Sequence, residues 1–227
     1  MNYSFDFSFL QDYWPMLAEG LVLTVQLAVM ATVCGFLLGT VCAVASTSKS
    51  RVLRALIGVY VEVIRNTPLL VQLFVVFFGL ASLGLKFSAT TSAVIGLTIN
   101  IGAYSSEIIR AGIQSIHKGQ IEAGDCLALS RWQVLTAIVL PTAIEKVYPA
   151  LASQYVLLML GTSIASQISA EEMTAAASRI QSDTFRPFEV FLVIAGLYLL
   201  LSFAMRGLFW GVGQFAFTRR RKLRTSL

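Results

Sequence analysis

Five long apolar segments, separated by shorter polar stretches, run along the chain. A helix needs about 20 apolar residues to cross the roughly 30 Å hydrocarbon core of a membrane. The pattern therefore predicts five transmembrane helices, at about residues 20–46, 57–85, 90–112, 147–168 and 188–211. The second is long enough only if the chain bends near Arg65–Pro68. The predicted fold is all-α and polytopic, and residues 1–227 are expected to form a single transmembrane domain.

The longest polar interruption is the loop between the third and fourth spans, residues 113–146. Two helical patterns fit it, a short one over Ile121–Leu129 and an amphipathic one over Arg131–Leu140. Ser130 is the expected N-cap of the second helix, and Pro141 is expected to end it. Periodicity leaves two interpretations equally open: a docking surface for a soluble partner, or helices that lie at the lipid interface.

Composition and charge support a membrane location. The chain is 56% hydrophobic and 13% charged, whereas soluble domains carry about 25% charged residues. If the N-terminus is outside, 14 of the 17 Lys and Arg residues fall inside, and only Lys86, Arg179 and Arg186 remain outside. This is the positive-inside bias, which predicts a cytoplasmic C-terminus. The net charge of +5 thus reflects topology, and no nucleic-acid partner is predicted. The basic run at residues 218–224 is then a cytoplasmic anchor, or a patch for lipid or a partner.

Polar residues within the spans are candidates for a substrate path. A carboxylate at membrane depth is costly and marks a functional position by default, which singles out Glu107. Asn100 and Tyr104 share its helical face at spacings of seven and three residues. Glu107 has two open roles: an ion pair with Arg110 or a subunit contact, and a place on the substrate path.

Neutral groups from three spans could serve the ammonium and carboxylate groups of an amino acid, or could simply make ordinary helix–helix hydrogen bonds. These candidates are Gln72, Asn100, Thr162, Ser163 and Gln167. A separate segment near the cytoplasmic end of the second span interrupts helical hydrogen bonding. It is either a helix boundary with an anchoring arginine or a gate or hinge, and it consists of Arg65, Asn66, Thr67 and Pro68.

No catalytic or metal site is predicted. The sequence contains no Gly-Lys-Ser/Thr, so the phosphate-binding loop of ATPases is absent. His117 is the single histidine and is expected at the surface, and no metal-ligand spacing occurs. An intramembrane enzyme is disfavoured because no nucleophile–base pair or metal set is present. Any ATP-derived energy must come from another chain.

Three blocks of sequence resemble a known family. Glu122–Gly124, followed by Ala128, Ser130 and Ile138–Pro141, resembles the EAA loop of ATP-binding-cassette importer permeases. Ala103–Gln120 and Arg65–Phe74 resemble the polar amino-acid uptake branch of that family. The resemblance spans essentially residues 15–215 and includes the five-span count.

The sequence departs from the family pattern at three places. Gly124 replaces the usual Ala and is expected to weaken the short helix by about 0.5–1 kcal/mol. Ala128 replaces the usual Gly, so a positive φ is not expected at that turn. Leu160–Ile164 lacks the Lys-Asp pair that many members carry in the fourth span, which suggests a distinct subfamily or one half of a heterodimer.

The resemblance implies a type I importer-like fold in a bacterial inner membrane. It implies two cytosolic ATP-binding subunits, a second permease subunit that is identical or homologous, and an extracytoplasmic binding protein that delivers a polar amino acid. No cofactor is expected on this chain, because ATP and Mg²⁺ would be held by the ATPases. In the family the EAA loop forms a coupling helix that docks the ATPase.

Carried over onto this sequence, the coupling positions are Glu122, Ala123, Gly124, Asp125, Leu127, Ala128, Leu129 and Ser130, within a docking segment at residues 119–141. The alternative function is an autonomous secondary transporter or channel. Such a protein would need several intramembrane acids on an ion pathway, whereas Glu107 is nearly alone.

Overall fold

The computed structural model describes residues 5–217, and this range contains eight helices and no strand. Four helices are individually long and apolar enough to cross a membrane, and a bent pair makes a possible fifth span. The predicted all-α, polytopic fold is therefore confirmed, and the five predicted spans correspond to these four helices and the bent pair. The helices are α1 (Phe9–Ala45), α2 (Arg51–Arg65), α3 (Leu69–Ser82), α4 (Ala89–Gln114), α5 (Lys118–Cys126), α6 (Arg131–Ile168), α7 (Met173–Thr184) and α8 (Pro187–Ala216).

Helix α1 begins at Phe9, well before the predicted boundary near residue 20. Phe9 and Leu17 are buried in an apolar cluster with Met173 and Ile180 of α7. This tertiary contact gives the first turns of α1 an apolar partner, so the helix forms there despite its polar residues. Hydropathy could not reveal the extension because the partner lies far away in the sequence.

The centre of the bundle is the close packing of α1 against α4. A Cβ atom at Gly35 would overlap the side chain of Ile101, and one at Gly39 would lie 2.5 Å from Ser105 Cβ and 2.9 Å from the Gly102 carbonyl oxygen. These two glycines, four residues apart, therefore let the two backbones approach, as small residues do between membrane helices.

The predicted second span is two helices rather than one. The axes of α2 and α3 meet at an angle of 111° across the three residues Asn66–Pro68. Asn66 ends α2, and Pro68 precedes α3 in an extended conformation, which suits a residue without a backbone N–H. The bend expected near this proline is present. A π-helical segment, Val75–Gly79, lies within α3.

Helix α6 runs from Arg131 to Ile168, so the prediction that Pro141 ends a helix was wrong. The six residues before Leu140, Val134–Val139, adopt π-helical geometry. In an α-helix the ring of Pro141 would clash with the carbonyl oxygen four residues earlier. The wider π-helical turn moves that carbonyl away, so the helix continues past Pro141. The predicted fourth span is therefore the second part of a helix that begins at Arg131, and the connection before it shrinks to residues 115–130.

Helix α7 and the start of α8 lie at the opposite end of the bundle from α5. Helix α8 begins at Pro187, where proline is favoured, and extends to Ala216, beyond the predicted end of the fifth span. The basic run predicted as an anchor, residues 218–224, lies outside the described residues.

Candidate functional site

The segment from α5 to the start of α6 is a helix–turn–helix unit with a cap at each helix start. The Gly119 N–H donates to His117 Nδ1 at 3.1 Å, which caps α5. Ser130 Oγ accepts from the Gln133 N–H at 3.3 Å, while Gln133 Oε1 accepts from the Ser130 N–H at 2.8 Å. This reciprocal pair is a capping box, so the expected N-cap role of Ser130 is confirmed.

The turn after α5 places an alanine in the left-handed region. Ala128 has φ of +55°, contrary to the expectation that it would not adopt a positive φ. The Leu129 N–H donates to the Gly124 carbonyl at 3.1 Å, and the Ala128 N–H to the Asp125 carbonyl at 3.0 Å. This is the Schellman pattern of helix ends. The hydrogen bonds offset a conformational cost of about 1–2 kcal/mol for a residue with a Cβ atom.

Gly124 is the point of closest approach between α5 and α6. A Cβ atom there would lie 2.8 Å from Val134 Cγ2 and 3.2 Å from Ile138 Cδ1. The glycine was expected only to weaken the helix, but it also allows this contact. Next to it, Ile116, which precedes α5, and Leu129, which follows it, pack in a small apolar cluster with Val134, Val139 and Ala143. Helix α5 is thereby fixed to the start of α6.

The outer face of this unit is exposed and partly apolar. Leu127 is 73% exposed and Trp132 is 68% exposed, and Ile121 is also on the surface. Glu122 and Asp125 are exposed beside them. We call these five residues the coupling surface. Large apolar side chains bordered by charges are typical of protein–protein docking sites. Among the other predicted coupling positions, Ala123, Ala128 and Ser130 are exposed and Leu129 is partly buried.

A second polar site lies at the break between α2 and α3. Gln72 Nε2 donates to the carbonyl oxygens of Ile64 at 2.7 Å and Thr67 at 3.0 Å. Its Oε1 accepts from Asn100 Nδ2 at 2.9 Å. Gln72 is buried, and it therefore links both sides of the break to α4. The residues of the predicted gate segment, Arg65–Pro68, are exposed beside the buried Gln72.

Charged side chains extend this polar site along α4. The guanidinium of Arg110 pairs with the Glu107 carboxylate, with Nε 3.1 Å from Oε2, and makes a second contact through its Nη2. Arg65 lies over the ring of Tyr104, 5.6 Å from its centroid, in a cation–π arrangement. We call Arg65, Gln72, Asn100, Tyr104, Glu107 and Arg110 the polar cluster.

The remaining predicted path residues lie in the 3₁₀ turn at the end of α6, Thr162–Ile168. Thr162 is buried and donates to the Met159 carbonyl, and Ser163 donates to the Leu160 carbonyl. Gln167 is exposed. Within residues 5–217, none of the three forms a hydrogen bond with the polar cluster. The turn nevertheless borders the start of α3, since a Cβ atom at Gly161 would lie 3.5 Å from Leu69.

Replacing Gln72 with leucine is expected to destabilise the protein by about 1–3 kcal/mol, because the Asn100 amide and the Ile64 carbonyl lose a buried partner. The measurement is the thermal unfolding midpoint of the purified protein in detergent. Gln167→Leu is the matched control, because Gln167 is exposed and has only a 3.4 Å hydrogen bond to Ser166. Equal midpoints for the two variants would contradict the linking role of Gln72.

Sequence reasoning missed a buried carboxylate at the other end of the bundle. Glu172 is fully buried and accepts hydrogen bonds from the N–H groups of Thr174 at 2.9 Å and Ala175 at 3.0 Å, as the N-cap of α7. Its Oε2 accepts from the Tyr198 hydroxyl at 2.8 Å. Burial raises the pKa of this carboxyl. The position of an acidic residue before an Ala-rich helix was a signal for the cap, but nothing in the sequence indicated the contact with α8.

Comparison with known proteins decides the family. Residues 35–210 match the family model described as the binding-protein-dependent transport system inner membrane component. This chain belongs to that family. The resemblance to ATP-binding-cassette importer permeases of the amino-acid uptake type is confirmed, and the chain is a multi-pass membrane component of a transport system.

Curated relatives cover most of the chain. The L-cystine transport system permease protein of Bacillus subtilis is 36% identical over 86% of this chain and 84% of its own length. The nopaline transport system permease protein of Agrobacterium fabrum is also 36% identical, over 88% and 87% of the two chains. The glutamine transport system permease protein of Escherichia coli K12 is 35% identical over 90% and 96%.

Solved structures agree with the fold. An amino acid ABC transporter crystallised with histidines has a chain that matches with a TM-score of 0.84 and 34% identity, covering 93% of this chain and 99% of that one. The MetNI methionine ABC transporter matches with a TM-score of 0.77 at 15% identity, which shows the shared fold alone. This family member therefore has the type I importer-like fold that its sequence predicted.

Proposed function

We propose that this chain is the transmembrane permease subunit of an ATP-driven, binding-protein-dependent importer for polar amino acids. It forms the translocation path and docks cytosolic ATPases through residues 119–141. It lies in the bacterial inner membrane with its N-terminus outside and its C-terminus in the cytoplasm, as one transmembrane domain. The amino-acid permeases among its relatives support this function.

The coupling surface is the proposed contact with the ATPase. The close contact of Gly124 with Val134, and the packing of the residues that flank α5 in the same apolar cluster, hold α5 against the first turns of α6. A displacement of α5 would therefore be transmitted along α6. From Arg131 to Gly161 this helix is about 45 Å long. It ends in the 3₁₀ turn beside Leu69, so a movement at the ATPase would reach the region of the bent helix pair.

The polar cluster is the proposed lining of the translocation path. A zwitterionic amino acid needs acceptors for its ammonium group and donors for its carboxylate. Glu107 supplies an acceptor, Arg65 and Arg110 supply donors, and Asn100 offers an amide. The break at Asn66–Pro68 is the proposed gate, because a bend can change angle without unfolding either helix. Thr162, Ser163 and Gln167 are the proposed continuation of the path.

The working transporter would contain two ATP-binding subunits, a second permease subunit, identical or homologous, and an extracytoplasmic amino-acid-binding protein. ATP and Mg²⁺ would be held by the ATPases, and this chain would carry no cofactor and perform no hydrolysis.

The observation that supports this function most directly is the exposed coupling surface fixed to a helix of spanning length. The test is purification of the tagged chain in mild detergent, followed by reconstitution into vesicles with whatever subunits it retains. We expect a stoichiometric ATPase and uptake of a polar amino acid that requires ATP and the binding protein. Uptake driven by an ion gradient without any ATPase would instead establish the alternative, an autonomous secondary transporter.

A further inference from the structure

A groove between α6 and α8 is not used by the proposed function. It has a volume of about 640 Å³, and none of the coupling or polar-cluster residues lines it. Its walls are mostly apolar, with one cationic side chain. The residues that matter for its chemistry are Tyr148, Val156, Leu157, Leu160, Arg206 and Trp210.

The cation of the groove lies at a membrane boundary. Arg186 immediately precedes α8, and Arg206 follows it twenty residues later. Twenty residues of helix span about 30 Å, which is the thickness of the hydrocarbon core. Arg206 therefore lies at the opposite boundary from Arg186, which is the cytoplasmic one in the proposed orientation. Trp210 is one turn further, 60% exposed, as expected for an interfacial aromatic residue.

The apolar wall of the groove extends from Arg206 towards the centre of the membrane. Tyr148 donates to the Phe209 carbonyl and packs beside Gly213, so it lies on the cytoplasmic side of Arg206. On the hydrocarbon side of Arg206 the wall runs on α6 from Ser153 to Leu160, roughly 10 Å along the helix. One leaflet contributes about 15 Å of hydrocarbon, half of the bilayer core. Leu157, in the middle of this wall, is 58% exposed although it is apolar. The wall can therefore accommodate the part of an acyl chain nearest the headgroup.

The charge in the groove selects the kind of lipid. Arg110 and Arg186 each pair with carboxylates, whereas Arg206 has no carboxylate partner within residues 5–217. A guanidinium group binds phosphate through two parallel hydrogen bonds. Because Arg206 lies at the membrane boundary, the phosphate of a lipid headgroup is within its reach. We propose that the groove binds one anionic phospholipid of the cytoplasmic leaflet, with its headgroup on Arg206 and an acyl chain along α6.

The test measures lipid binding to the full chain, together with the subunits that co-purify, by native mass spectrometry. Phosphatidylglycerol and phosphatidylcholine are titrated separately. We expect the wild type to prefer phosphatidylglycerol, and Arg206→Gln to weaken its binding about fivefold, the effect of removing one cation near an anionic headgroup. Arg54→Gln, which removes an exposed arginine from α2, should leave both affinities unchanged.

A second measurement identifies the occupant directly in membranes. Leu157 is replaced by p-benzoylphenylalanine and irradiated, and the expected product is a phospholipid adduct. An adduct with a second permease copy would overturn the proposal and make the groove a subunit interface. Displacement of the lipid by the transported amino acid would overturn it in favour of a translocation path. Equal binding of the two lipids, or no effect of Arg206→Gln, would also overturn it.

Discussion

Replacing Leu127 with aspartate is expected to abolish most ATP-dependent uptake while the membrane domain stays folded. Leu127 is 73% exposed in the coupling surface, so its loss removes little packing within the chain. In the complex, a buried aspartate would be a desolvated charge at the centre of the proposed ATPase contact. Loss of a hot spot costs 2 kcal/mol or more, which weakens binding about 30-fold. The measurements are ATPase recovery on purification and the initial rate of uptake.

Leu83→Asp is the matched control for this experiment. Leu83 is 77% exposed at the far end of α3, away from α5. It should retain the ATPase and most of the uptake. If the Leu127 variant kept both at the wild-type level, the coupling surface would not be the ATPase contact. If the two variants lost the ATPase equally, the effect would belong to surface charge in general, and the coupling surface would again be excluded.

Much of the fold could be predicted because hydrophobic length is a local property of the sequence. The predicted and observed limits of the third span, 90–112 and Ala89–Gln114, differ by at most two residues. The helix limits that were predicted wrongly depend on contacts with distant residues or on local backbone geometry. Helix α1 starts early because α7 covers Phe9. Helix α6 passes Pro141 because a π-helical segment precedes it, and no residue pattern announces that segment.

In the candidate site, too, local features could be predicted from the sequence, whereas contacts between helices could not. Ser130 and Gln133 form a capping box that spacing alone can indicate. The close approach at Gly124 and the positive φ of Ala128 depend on how α5 meets α6, so the sequence suggested only departures from a pattern. Helical spacing put Asn100 and Glu107 on one face of α4. It could not predict the hydrogen bond between Asn100 and Gln72, because Gln72 belongs to α3, just after the break between α2 and α3.

Glu172 is the residue whose role depends most on long-range contacts. It caps α7, its Oε2 lies 3.4 Å from the Thr24 hydroxyl of α1, and it accepts from Tyr198 of α8. It thus ties three helices together at the end of the bundle opposite α5. No Lys or Arg pairs with it in the described part of the chain. A buried carboxylate without a cation is stabilised only by these hydrogen bonds.

Glu172→Ala is therefore expected to lower the free energy of unfolding by about 2–4 kcal/mol. The helix loses a cap worth about 1 kcal/mol, and the partly buried Tyr198 hydroxyl loses its carboxylate acceptor. Glu172→Gln should be far milder, because its amide oxygen can accept from the two N–H groups and its NH₂ can donate to the hydroxyls of Thr24 and Tyr198. Thermal unfolding of the purified variants distinguishes the two. Equal losses in both would contradict the hydrogen-bonding account.

The stability difference between Glu172→Gln and the wild type is also expected to depend on pH. Burial raises the pKa of Glu172 above its value of 4.5 in the unfolded chain, so the folded state holds the proton to higher pH. The contribution to stability is then complete below pH 4.5 and is lost as pH rises through the folded pKa. Glu172→Gln has no proton to lose. Its stability relative to the wild type should therefore increase from acidic to alkaline pH, and a constant difference across this range would show that the carboxyl does not titrate with a raised pKa.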